Sequence, residues 1–163
     1  MNMWKDLLEV LGRLDLVYKE VVPLLKQKKQ ALIGLKLDEL KRIIEKEESL
    51  TQKIEQLEKQ RLEILTKMAQ QNPEINANVK MQDLFSQAPN KIISQRLDLF
   101  HKSLSKNIEE VKQISEENNV LATAALDATK FHLNRLSGAK VEPTYGKAGK
   151  DVTSRRNNYD FNA

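Results

Sequence analysis

The 163-residue chain has no cysteine, which excludes disulfides, thiolate metal sites and a cysteine nucleophile. Aromatic residues make up only 5% of it, so any core has to be thin and built from aliphatic side chains. Five glycines and four prolines leave long stretches with nothing to interrupt a helix. No window approaches the roughly 18 to 20 consecutive apolar residues of a membrane span. The N-terminus also lacks the basic start and apolar core of a signal peptide, and the expectation is a soluble cytoplasmic protein without membrane insertion.

What is present is charge and aliphatic residues in alternation. Charged residues reach 31% and the hydrophobic class 40%, a mixture suited to long helices that bury narrow apolar seams and wet their outer faces. The net charge of +4 comes from 27 basic and 23 acidic residues, interspersed along the chain. A phosphate-binding surface rewards several simultaneous contacts and needs its cations in one block. The nearest candidates, Lys26-Gln27-Lys28-Lys29 and Arg155-Arg156, are too short for that, so no nucleic-acid partner is expected.

Trp4, Leu7, Leu8, Leu11, Leu14, Tyr18, Val21, Leu25 and Leu32 recur in steps of three and four, which predicts a helix over about 3–34. Glu9 with Arg13 and Asp15 with Lys19 place acid four residues before base, as on an exposed face. Pro23 should kink or bulge this helix, and Gly34 should end it in a left-handed turn. A second series runs through Leu40, Ile43, Ile44, Leu50, Ile54, Leu57, Leu62, Leu65 and Met68, giving a helix over about 37–71 folded back beside the first. Glu47 and Arg61 fall near its seam, where their stems can lie along apolar surface while the heads reach water. Asn72-Pro73 stops it. A short helix over about 81–87, with Met81, Leu84 and Phe85, is expected to cap the bundle, and Asn90 is a candidate N-cap for the last helix.

The third long helix, about 90–136, carries Ile93, Leu97, Phe100, Leu104, Ile108, Val111, Ile114 and Leu121. At about 1.5 Å per residue it spans well over 60 Å, against roughly 45 to 50 Å for each of the first two, so it must overhang them or bend. Near its end the composition shifts to small residues, with Leu121, Ala124, Ala125 and Ala128 followed by the larger Phe131, Leu133 and Leu136. That surface fits a tight contact with the first helix of the same chain, or a docking face for a partner helix. From Gly138 on, residues 138–163 hold three of the five glycines and no periodic apolar run, and read as a mobile tail. The tail nevertheless carries Tyr145, Tyr159 and Phe161, and aromatics in such a segment can act as anchors in a partner's pocket.

Catalytic constellations are absent. His101 and His132, the two histidines, lie 31 residues apart on one predicted helix. The Gly146 and Gly149 spacing lacks the lysine-serine or lysine-threonine ending of a phosphate loop and the strand before it. Glu109-Glu110 and Glu116-Glu117 are adjacent on helices and point in different directions. The reading is a binding protein, with no enzyme activity, no cofactor and no metal.

Several stretches resemble a known family. In the first half these are Tyr18, Leu24-Leu25, Lys28-Lys29-Gln30-Ala31-Leu32-Ile33, Glu47-Glu48-Ser49-Leu50, Ile54, Leu57-Glu58 and Arg61. In the second half they are Leu84, Glu117-Asn118-Asn119-Val120-Leu121 and Glu142-Pro143-Thr144-Tyr145-Gly146-Lys147-Ala148-Gly149. Over nearly its full length the chain resembles the FlgN-type flagellar export chaperones. The resemblance implies a cytoplasmic chaperone that binds hook-associated (hook–filament junction) proteins before type III export, with the tail region engaged in cargo binding. It also implies that Tyr145, of the Tyr-Gly pair, docks onto the cytoplasmic domain of the export gate protein FlhA.

The expected architecture is all-α. It is an antiparallel three-helix bundle of long coiled-coil-like helices over 1–137, with a short connecting helix and a mobile C-terminal tail. Protein binding is assigned to Leu121, Ala124, Ala125, Ala128, Phe131, Leu133, Leu136, Tyr145, Gly146, Gly149, Tyr159 and Phe161. A structural coiled coil that self-associates through the same seams and binds no cargo is the alternative.

Overall fold

The computed structural model describes residues 2–76 and 78–138, and the tail expected from residue 139 onward lies outside them. Four helices follow in order: α1 (Met3–Ile33), α2 (Leu37–Gln71), α3 (Met81–Ser86) and α4 (Lys91–Ser137). Among the described residues there is no strand, and the fold is all-α.

α1 is the central helix, packed on one flank by α2 and on the other by α4, while α2 and α4 do not pack on each other to a comparable extent. Chain direction follows from the pairs that bridge the elements. Lys28 near the end of α1 meets Glu47 early in α2, so these two helices are antiparallel. Asp15 meets Ser103 and Leu25 meets Asn118, so residue numbers rise together and α1 and α4 run parallel. The apolar stripe of α1 explains its central place: Leu7, Leu11, Leu14, Tyr18, Val21 and Leu25 are all essentially inaccessible. Ile43, Leu50, Ile54, Leu65 and Met68 close over it from α2, and Leu97, Leu104, Ile108, Val111 and Ile114 from α4. Each such side chain contributes about 1.5 to 3 kcal/mol on burial. Met81 and Leu84 of α3 complete the core beside the start of α4, with Phe85 set edge-on to His101 at 5.8 Å.

Polar groups inside the interfaces set the register. Asp15 pairs with Lys19 at 2.7 Å, but it is buried and not part of an exposed face. It also accepts from Ser103 Oγ at 2.6 Å and from Asn107 Nδ2 at 3.2 Å across the α1–α4 contact. A buried carboxylate needs such donors, and a slip of α4 would strip them away. Arg61 is largely buried and pairs with Glu58 at 3.0 Å, while Glu47 holds Lys28 at 2.7 Å. The seam of α2 is also narrower than its apolar series, since Ile44 and Leu62 are exposed.

The helix ends differ in part from expectation. α1 stays helical through Pro23, whose ring is exposed on the solvent side. Gly34 is right-handed (φ −84°), and the left-handed residue is Leu35 at φ 50°. The Leu35 N–H bonds back to the Leu32 carbonyl and the Lys36 N–H to the Ala31 carbonyl at 3.0 Å, the paired reverse bonds of a Schellman turn. Asn72 is extended ahead of Pro73, as proline requires. Asn90 caps α4, its side chain accepting from the Ile93 N–H at 2.9 Å.

Candidate docking helix

The packed part of α4 ends at Asn118. Its Nδ2 donates to the Leu25 carbonyl at 3.0 Å, and its Oδ1 is buried without a partner. One residue earlier Glu117 takes Lys29 Nζ at 2.7 Å, and two turns back Glu110 takes Lys26 at 3.0 Å. The hydrogen bond and positive charge of Lys29 hold the Glu117 carboxyl below its ordinary pKa, more than offsetting a small opposing effect of burial. These contacts fasten α4 to α1 up to the point where α1 runs out.

Because the helices are parallel and Leu25 faces Asn118, the last residue of α1 comes level with about residue 121 to 126 of α4. The remaining residues to Ser137 extend about 17 to 24 Å with no helix beside them among the described residues. The intramolecular contact expected for residues 121–128 is therefore only begun. Leu121 and Ala125 are half-buried, whereas Ala124 and Ala128 are exposed. Phe131 is 62% exposed, Leu133 61% and Leu136 85%.

Successive helical residues are about 100° apart, and that places the nominated side chains on more than one face. Leu121, Ala125, Ala128 and Leu136 share one stripe. Leu133 joins Leu126 on the continuation of the buried seam, and Phe131 and Ala124 join Val120 on the far side. Between residues 119 and 137 only Asp127, Lys130 and Arg135 carry formal charge. A helix that is apolar around most of its circumference is normally enclosed, not faced on one side only.

Sequence reasoning missed part of this surface. Val120 (69% exposed) and Leu126 add to the overhang. Ile33, Leu35 and Leu37 are exposed in the α1–α2 turn, at the same end of the bundle. The available signal was the apolar run Leu32-Ile33-Gly34-Leu35 in a place where turns are usually polar. Tyr145, Gly146, Gly149, Tyr159 and Phe161 lie outside the described residues.

Among the described residues no group of His, Asp and Glu is arranged to hold a metal ion. No helix among them is long and apolar enough to cross a membrane. What the overhang offers is apolar area, which can bind a protein surface.

A family model described as FlgN protein matches residues 1–153 of the chain. Neither the curated proteins nor the solved structures hold a match.

Proposed function

From the premise that the chain belongs to the FlgN family of flagellar export chaperones, we propose that it binds hook-associated proteins in the cytoplasm and hands them to the export gate. The observation that carries the cargo assignment is the overhang of α4, apolar on several faces and exposed at Val120, Leu126, Phe131, Leu133 and Leu136. Export cargo whose amphipathic helices would otherwise self-associate can bury those faces against residues 120–136. Enclosure from more than one side would desolvate Leu121, Phe131, Leu133 and Leu136 together. The tail supplies the second contact, with Tyr145 docking onto the cytoplasmic domain of FlhA and Tyr159 and Phe161 adding to the grip on cargo.

Co-purification of the full chain with hook-associated proteins and with the FlhA cytoplasmic domain tests this reading. The triple variant Phe131→Ser, Leu133→Ser, Leu136→Ser should lose cargo and keep the gate. Tyr145→Ala should lose the gate and keep cargo. Retention of cargo by the triple variant would sink the assignment to the overhang. The same exposed apolar faces also suit self-association. If the wild-type chain forms a dimer that the triple variant abolishes while cargo binding persists, the structural reading replaces this one.

A further inference from the structure

Away from the overhang, at the other end of the bundle, α1 and α4 leave a groove of about 400 Å³ lined by Lys5, Leu8, Glu9, Arg96, Leu99 and Phe100. Its floor is apolar for a local reason. Gly12 has no side chain, and a Cβ there would come within 3.3 Å of Phe100 Cζ, so the ring lies down against α1. Leu99 is 66% exposed on the α4 rim. Leu16 follows Gly12 by about one turn on α1, and Ile92 precedes Leu99 by about two turns on α4, both exposed. The apolar strip is thus extended along both helices, as a docked helix requires and a small molecule does not.

The charges at the rim select the partner. Glu9 is taken by Arg13 at 2.6 Å. Lys5 and Arg96 are exposed and have no ion pair among the described residues. An apolar floor between two uncommitted cations complements an apolar stripe flanked by carboxylates. We propose that this groove is a second docking site, separate from the overhang, that takes an acidic amphipathic helix of a partner protein. The site gives the chain two independent points of engagement at opposite ends of one rigid bundle.

The test uses the full chain and a labelled synthetic 18-residue amphipathic helix with leucine on one face and glutamate on the other. A matched peptide with lysine in place of glutamate is the control, and fluorescence anisotropy is the readout. The glutamate peptide should bind at least about ten-fold more tightly than the lysine peptide. The double variant Lys5→Glu, Arg96→Glu should reverse that preference, and Leu99→Glu should weaken the glutamate peptide by a similar factor. All three positions are exposed, so the variants should melt with the wild type. The triple overhang variant should bind the peptide normally. No binding, equal affinity for both peptides, or loss of binding only in the overhang variant would overturn the proposal.

Discussion

The Asn118 side-chain amide donates to the Leu25 carbonyl at 3.0 Å, joining residues 93 positions apart at the last buried level of α4. Next to it, Lys29 and Glu117 meet at 2.7 Å. All four residues belong to the stretches that carry the family resemblance, as do Lys28 with Glu47 and Glu58 with Arg61. Lys28 with Glu47, Lys29 with Glu117 and Asn118 with Leu25 bridge helices, whereas Glu58 with Arg61 pairs within α2. The two on α4, Asn118 with Leu25 and Glu117 with Lys29, mark how far that helix is held and hence how much of it stands free.

Asn118 should tolerate no charge. Asn118→Asp replaces the donor with a carboxylate facing the Leu25 carbonyl in a buried site, and should cost about 2 to 4 kcal/mol in urea denaturation. Asn118→Leu removes the unpaired Oδ1 as well and should be neutral or stabilising by up to about 1 kcal/mol. A loss from the leucine variant equal to that from the aspartate would contradict this account.

The left-handed residue of the α1–α2 turn is a leucine, which carries a steric penalty that glycine avoids. Leu35→Gly should raise stability by roughly 1 kcal/mol. Gly34→Ala should change it little, because Gly34 is right-handed and the new Cβ would meet the Gln30 carbonyl oxygen no closer than 3.4 Å. Thermal melts of the two variants separate this arrangement from one in which Gly34 holds the special conformation.

The Glu117 carboxyl is held below its ordinary pKa, first by its hydrogen bond to Lys29 and then by that residue's charge. A depressed folded-state value means that the pair's contribution is present at neutral pH and is lost as pH falls through that value. An NMR titration of the side-chain carboxyl should place its midpoint below those of exposed glutamates, and Lys29→Met should move it back up. Both groups are substantially exposed, so added salt should shrink the difference.

Amide exchange should divide α4 in two. Residues 97–118 carry the buried seam and should be protected, whereas residues 126–137 have no neighbouring helix among the described residues and should exchange orders of magnitude faster. The triple overhang variant should accordingly leave global stability within about 0.5 kcal/mol of wild type, because it removes nothing buried. Uniform protection along α4 would show that the overhang is covered in the free protein.

Much of the fold is legible in the sequence because its causes are local. Steps of three and four in the apolar series specify helices, Asn72-Pro73 stops one, and the Asn90 side chain caps the next within three residues. The turn at Gly34 is not legible in this way, because glycine permits a left-handed conformation without requiring it, and the hydrogen bonds place that conformation one residue later. Asp15 reads as half of a solvated pair because Ser103 and Asn107 are 88 and 92 residues away.

The candidate site is legible in composition and not in geometry. A run such as Leu121, Ala124, Ala125 and Ala128 announces close approach, yet nothing local says whether α1 is still alongside to make it. The sequence by itself determined that this is an all-α fold with thin seams, no cysteine chemistry and a third long helix that exceeds the other two. Only the tertiary structure decided that α1 is central, that α4 runs parallel to it, and that the packing stops at Asn118. Register depends on where buried partners such as Asp15 and Ser103 find one another, and that is set by the whole arrangement of helices.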